Sequence, residues 1–308
     1  MDNRHFMEIN KTVFEAAFER NGKCFLLIDA SLRKYQSDDS LYKIMESHSI
    51  HSIKFNKKEL HGALPLYLVP LDFKIKQDVE LFNYSIRHAL TELDLGRINA
   101  GEGRSVCAWI STELNREQLS ESISGMIIQP LQSGNDILVR YFDPSVFGLL
   151  LSILDNWQSQ QLLRDINFWC YIDGDGNAQV INGGGEQTKK LNYSLGLSED
   201  DLSKINNILV INRVLRLYRK NKSVKTLSEQ QVAELLHPAI LFFYSTFSAV
   251  DDGVADFCLD VLSARWPFYQ GVLFGQHILD KRNKHLNGYI DLKSMVEIDM
   301  WKKIMLLA

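Results

Sequence analysis

The segment Asp136-Ile137-Leu138-Val139-Arg140-Tyr141-Phe142-Asp143-Pro144 runs directly into Val146 to Leu154, and its chemistry changes once along the way. Ile137 to Tyr141 is an apolar run of strand length. Asp143 can accept from the free amides of a following helical turn, and Pro144 suits the first helical position because its missing N–H would be unpaired there anyway. Val146, Leu149, Leu150, Ile153 and Leu154 then recur at helical spacing and give that helix one apolar face. The stretch predicts a buried strand turning into an amphipathic helix, a corner of an α/β fold.

Further strand candidates on either side are Cys24 to Ile28, Ser52 to Phe55, Leu66 to Val69, Val106 to Ile110, Phe168 to Ile172 and Ala178 to Ile181. Glycine, proline or Asx residues separate them from helical stretches. The best defined of these is Asn115 to Ile128, where Leu119, Ile123, Met126 and Ile127 share a face and Asn115 with Gln118 forms a cap. After Gly185 the strand pattern stops. Ser198 followed by Glu199, Asp200 and Asp201 opens a helix reaching about Arg219, and a second helix starts near Ser228. Pro238 is expected to break or kink the path before Ala239 to Val250. Asp251 and Asp252 can cap a helix reaching Arg265, and the tail from Asp291 to Leu307 keeps helical spacing. The reading is an α/β (or α+β) lobe with a mixed sheet over residues 1–190, followed by an all-α lobe over residues 191–308.

Composition supports a folded chain: 308 residues, 45% hydrophobic and 23% charged, which is ordinary for globular domains. The net charge of −4 is too small to drive association with a polyelectrolyte. Cys24, Cys107, Cys170 and Cys258 are widely spaced and form no CxxC pair, as expected of buried thiols in a reducing compartment. Met1 to Asn10 has no apolar core of a signal peptide, and no run approaches the ~20 apolar residues of a membrane span. A cytoplasmic protein is expected, with no membrane contact.

Motifs that would carry chemistry are each better explained structurally. The Gly96 to Ser105 segment lacks the Lys-Ser or Lys-Thr of a phosphate loop and precedes a strand, so it is expected to be a flexible loop. Asp173, Asp175 and Asn177 alternate like calcium ligands, but Ala178 and Gly184 stand where glycine and glutamate are required. A tight hairpin turn between Tyr171-Ile172 and Gln179-Ile181 fits them better. His48, His51 and His61 match no metal pattern. No GxSxG elbow occurs, and Asp251 and Asp252 are adjacent and so share no helical face. Arg213, Arg216, Arg219, Lys220, Lys222 and Lys225 form the one basic group, at a helix end where cations suit the dipole and with no interleaved aromatic pattern beyond Tyr218. No catalytic, cofactor-binding or metal-binding residue is assigned, and no nucleic acid partner.

The ordered segments of the first half resemble the effector adaptor family of bacterial type VI secretion, also called Tap or Tec chaperones. Phe25-Leu26-Leu27-Ile28-Asp29-Ala30 is similar to its opening strand with Asp-Gly or Asp-Ala, although Ala30 stands where glycine is frequent. Gly62 to Val69, with Pro65, is similar to its next element. Val106 to Ile110, with Trp109, and the following helix resemble the third. Ile137 to Leu154, with Asp143 and Pro144, is similar to its most recognisable motif. The resemblance covers residues 22–172, and Asn192 to Leu197 is similar to the entry into the family's helical region.

That resemblance implies a cytosolic, non-enzymatic adaptor that holds a toxic effector, often by its N-terminal part, and loads it on the VgrG spike. Asp29, Pro65, Asp143 and Pro144 would be structural. Arg140 is placed either to brace a carboxylate or to face a partner, and bracing is favoured because an Arg–carboxylate fork satisfies both groups in place. Trp266, Phe268 and Tyr269 flank Pro267 at a helix break, so at least one is expected at the surface, available to a partner. Two other readings remain: an α/β enzyme whose site is assembled from scattered residues, and a nucleic-acid-associated protein using Arg213 to Lys225.

Overall fold

The computed structural model describes residues 3–18, 22–55, 64–131, 133–183, 192–220, 227–247, 253–284 and 288–306. Two compact units divide the chain, Met1–Asp201 and Leu202–Ala308, so the division falls somewhat later than residue 190.

The first unit begins with α1 (Asn3–Phe18), whose Phe6, Ile9, Val13 and Ala17 are buried. The spacing of these four is that of one helical face. There follow β1 (Lys23–Asp29), a 3₁₀ turn over Ala30–Tyr35, α2 (Ser40–Met45), β2 (His51–Ser52), β3 (Leu66–Asp72) and α3 (Lys76–Thr91). Next come α4 (Leu95–Asn99), β4 (Val106–Thr112), α5 (Arg116–Ile127), β5 (Ile128–Pro130) and β6 (Asp136–Leu138). The unit closes with α6 (Pro144–Leu151), α7 (Asn156–Leu163), β7 (Ile166–Ile172) and β8 (Ala178–Asn182).

Six strands form one sheet in the order β2-β3-β1-β4-β7-β8. Every pairing in it is antiparallel, so the α+β form of the expectation is the one realised. The central strand β4 is buried at all seven positions, which explains its unbroken apolar run. On one face Phe6, Ile9, Val13, Leu81, Phe82, Trp109, Cys170 and Ile172 pack into a common core. Trp109 satisfies its indole N–H there by donating to Ser85 Oγ at 2.9 Å.

Several local expectations are met. Asn115 and Gln118 form a reciprocal capping box at the start of α5, and Asp173 organises the β7–β8 turn. Its Oδ1 accepts from the amides of Asp175 and Asn177 at 2.9 and 2.8 Å, and its Oδ2 from the Gln179 side chain at 2.7 Å. Gly176 supplies the positive φ (83°) that such a turn needs.

Others need correction. Ile137 to Tyr141 is not a buried strand of the main sheet. Only Asp136–Leu138 is extended, in a two-stranded ribbon with β5, and Leu138 is exposed. Val139, Tyr141 and Phe142 are buried from irregular backbone, so an apolar run here signals burial without signalling a strand. Of the expected strand Ser52 to Phe55 only Ser52 is in a strand, β2, which begins one residue earlier at His51, while Ile53 and Phe55 are buried beyond it. Part of the Gly96 to Ser105 segment is the short helix α4, capped by the Asp94 carboxylate.

The second unit is helical: α8 (Glu199–Lys220), whose first turn belongs to the preceding unit, α9 (Glu229–Thr246), α10 (Val254–Ala264), α11 (Val272–Lys284), α12 (Tyr289–Met295) and α13 (Ile298–Leu306). Ser228 and Gln231 make the capping box of α9. Pro238 does not end that helix. Pro238 and Glu234 are both exposed, so the carbonyl that loses its donor lies on the solvent side, while Val232, Leu236, Ala239, Ile240 and Phe243 anchor the buried side. The tail is two helices, parted at Val296. Gly62, His61, Gly184, Lys222, Lys225, Val250, Asp251, Asp252 and Leu307 lie outside the described residues.

Candidate functional site

The residues singled out in the first half of the sequence meet at the C-terminal end of β1. Antiparallel pairing carries β1 to a point where its last residue, Asp29, faces the start of β3 and of β4. The Asp29 amide donates to the Ser105 carbonyl at 2.8 Å, and the next amide, of Ala30, donates to the Pro65 carbonyl at 2.9 Å. Asp29 is 1% exposed. Its Oδ1 caps the 3₁₀ turn by accepting from the amide of Ser31 at 2.9 Å, and also from the Ser31 hydroxyl. Its Oδ2 accepts from Arg140 Nη2 at 2.9 Å.

Arg140 therefore braces a carboxylate far from it in sequence, with Asp143 as a second neighbour at 3.6 Å. Its guanidinium also lies over the Phe142 ring, 5.0 Å from the centroid. Asp143 caps α6 through the amide and hydroxyl of Ser145, with Pro144 in the first turn. One guanidinium thus ties the end of the first strand to the start of α6.

Removing half of this tie leaves a buried carboxylate short of a donor. Arg140→Ala is expected to destabilise the chain by about 1–3 kcal/mol. A double-mutant cycle with Asp29→Asn, followed by urea unfolding, should give a coupling above about 0.5 kcal/mol; additive losses would show that the pair contributes no bracing.

Beneath this corner lies a buried polar group that sequence reasoning missed. Glu92, 1% exposed, accepts from the Ser105 amide and hydroxyl at 2.7 and 2.6 Å and from Gln36 Nε2 at 2.7 Å. The ring of His88, one helical turn earlier, is 3.4 Å away. Burial pushes the Glu92 carboxyl up, but the His88 ring and the Ser105 donors outweigh it, and the net displacement is downward. The spacing of His88 and Glu92 could have revealed them, since both fall on the α3 side that carries Leu81, Ser85 and Ile86. Polar residues on an apolar face call for partners there. Serine, carboxylate and histidine are all buried here (His88 3%, Ser105 0%), so the group fastens α3 to β4.

An open depression of about 610 Å³ adjoins the corner, with Ala30, Ser31, Lys34, Gln36 and Pro65 among its lining residues. Arg33 and Asp39 form its charged rim, paired through Nε–Oδ1 at 2.6 Å and Nη2–Oδ2 at 2.8 Å. The Arg33 fork holds the Asp39 carboxyl below its ordinary value.

The remaining site expectations fall elsewhere. Phe268 and Tyr269 are buried, at 0% and 4%, and pack against Phe257 at 5.7 and 5.6 Å. They are core residues of the helical unit, which corrects their reading as a partner surface. Trp266 is half-buried and donates its indole N–H to the Met305 carbonyl at 2.8 Å. Burial raises the thiols of all four cysteines, those of Cys170 and Cys258 to about 12. Among the described residues no group of three His, Cys, Asp or Glu is arranged to hold a metal ion. No described helix is long and apolar enough to cross a membrane.

Comparison with protein-family models, curated sequences and solved structures gives no match.

Proposed function

We propose that the chain is a non-enzymatic, cytoplasmic adaptor that binds a type VI secretion effector and loads it onto the VgrG spike. The observation that carries this reading is the meeting of Asp29, Pro65, Arg140 and Asp143 at one corner of the sheet. These residues come from three of the segments that resemble the adaptor family, and the contacts give each a shared structural task. Neighbouring polar groups are likewise engaged in holding elements together, Glu92 above all, which favours action through surfaces. The open depression beside the corner offers one such surface on the first unit.

The test is co-expression of the full chain with a VgrG spike and candidate type VI effectors from the same genome, followed by size-exclusion chromatography. Co-elution with both partners is the expected result. A folded chain that elutes free of both would overturn the reading.

A further inference from the structure

Helix α8 buries Ile208, Ile211, Val214, Leu215 and Tyr218 on one side. Leu209, Arg213, Arg216, Leu217 and Lys220 recur in steps that keep them on another side. All five are exposed, Leu209 by 75% and Leu217 by 37%. Single surface leucines are common and carry no argument alone. Here they share a face with three cations that are unmatched among the described residues. Arg219, further round the helix, pairs with Glu229 at 3.6 Å, whereas among the described residues Arg213, Arg216 and Lys220 have no carboxylate within ion-pair distance. Arg216 uses one donor on the Asn212 carbonyl at 3.2 Å. The acids of α8 stand only in its first turn, at Glu199, Asp200 and Asp201. The helix dipole accounts for cations near the last turn, but not for exposed leucines on the same face.

We infer that this face of α8 docks an acidic amphipathic helix of a partner protein. Leu209 and Leu217 meet its apolar stripe, and Arg213, Arg216 and Lys220 meet carboxylates spaced three and four residues apart. A nucleic acid backbone would use the cations but not the leucines, and the nearby aromatic, Tyr218, is buried and offers no stacking platform. This goes beyond the adaptor reading: it states the place and chemistry of a contact and holds whatever the partner's origin.

The experiment uses the full chain and three labelled probes: a synthetic helical peptide with a leucine stripe flanked by glutamates, the same peptide with lysines for glutamates, and a duplex oligonucleotide. Fluorescence anisotropy should show saturable binding of the acidic peptide, weakening as salt rises. Arg213→Gln with Arg216→Gln should weaken it about tenfold or more, and Leu209→Ser about fivefold. These positions are exposed, and an unchanged circular dichroism spectrum verifies folding. Equal binding of the lysine peptide, or no saturable binding of the acidic one, overturns the inference. Tighter oligonucleotide binding that ignores Leu209→Ser also overturns it and assigns the face to nucleic acid. Each of these outcomes leaves the adaptor reading standing.

Discussion

Replacing Glu92 by alanine is expected to cost the first unit about 3–5 kcal/mol, seen as a lower urea midpoint of tryptophan fluorescence. The size follows from what the carboxylate leaves behind. The Ser105 amide and hydroxyl, the Gln36 amide and the His88 ring all lose an acceptor or neighbour, and Ser105 and His88 are buried. Glu92→Gln keeps one carbonyl oxygen and the volume, so its loss should be smaller. The pH dependence has a definite sign. Because the folded carboxyl lies below its ordinary value of 4.5, its contribution is complete above that value and disappears as pH falls through the folded pKa. Acidification from about pH 6 to about pH 3 should therefore destabilise the natural chain more than Glu92→Gln. Equal slopes for the two proteins would remove Glu92 from the account.

The second large effect belongs to the helical unit. Phe257 is fully buried and touches the rings of Phe243 at 5.5 Å, Phe268 at 5.7 Å, Tyr269 at 5.6 Å and Tyr289 at 5.0 Å. Phe257→Ala should cost about 3–5 kcal/mol, because it removes a ring from the centre of a cluster that cannot collapse around the gap. Exposed Tyr244 gives the contrast: Tyr244→Ser should stay within about 0.5 kcal/mol. A similar shift for both variants in thermal unfolding would show that the aromatic cluster is loosely packed. Substitutions at Phe268 or Tyr269 act on this same cluster, so lost partner binding in such variants reads as lost packing until stability is measured.

The contrast between the two units follows what local sequence can encode. Caps and turns were legible because their chemistry is short-range: Asn115 with Gln118, Asp143 with Pro144, Ser228, and Asp173 with Gly176 each settle a few neighbouring residues. The run Val139 to Phe142 misled because buried side chains on irregular backbone look like a strand in one dimension. Pro238 misled because its cost depends on which way the deprived carbonyl faces. The corner was half legible: Arg140 was readable as a brace for a carboxylate, but its main partner, Asp29, lies 111 positions away. Trp266, Phe268 and Tyr269 flank a proline, a local mark of exposure that the packing around Phe257 overrides for two of them.

Helix α1 has its buried face set against the strands made last in its unit. Phe6, Ile9 and Val13 share a core with Cys170 and Ile172, with Val180 packed against it, and His5 contacts the Gly176 carbonyl. The same face also meets Leu81, Phe82 and Trp109, so segments made earlier cover part of it. The cover is complete only once β7 and β8 have been made, on the order of ten seconds after α1 at ordinary rates of synthesis.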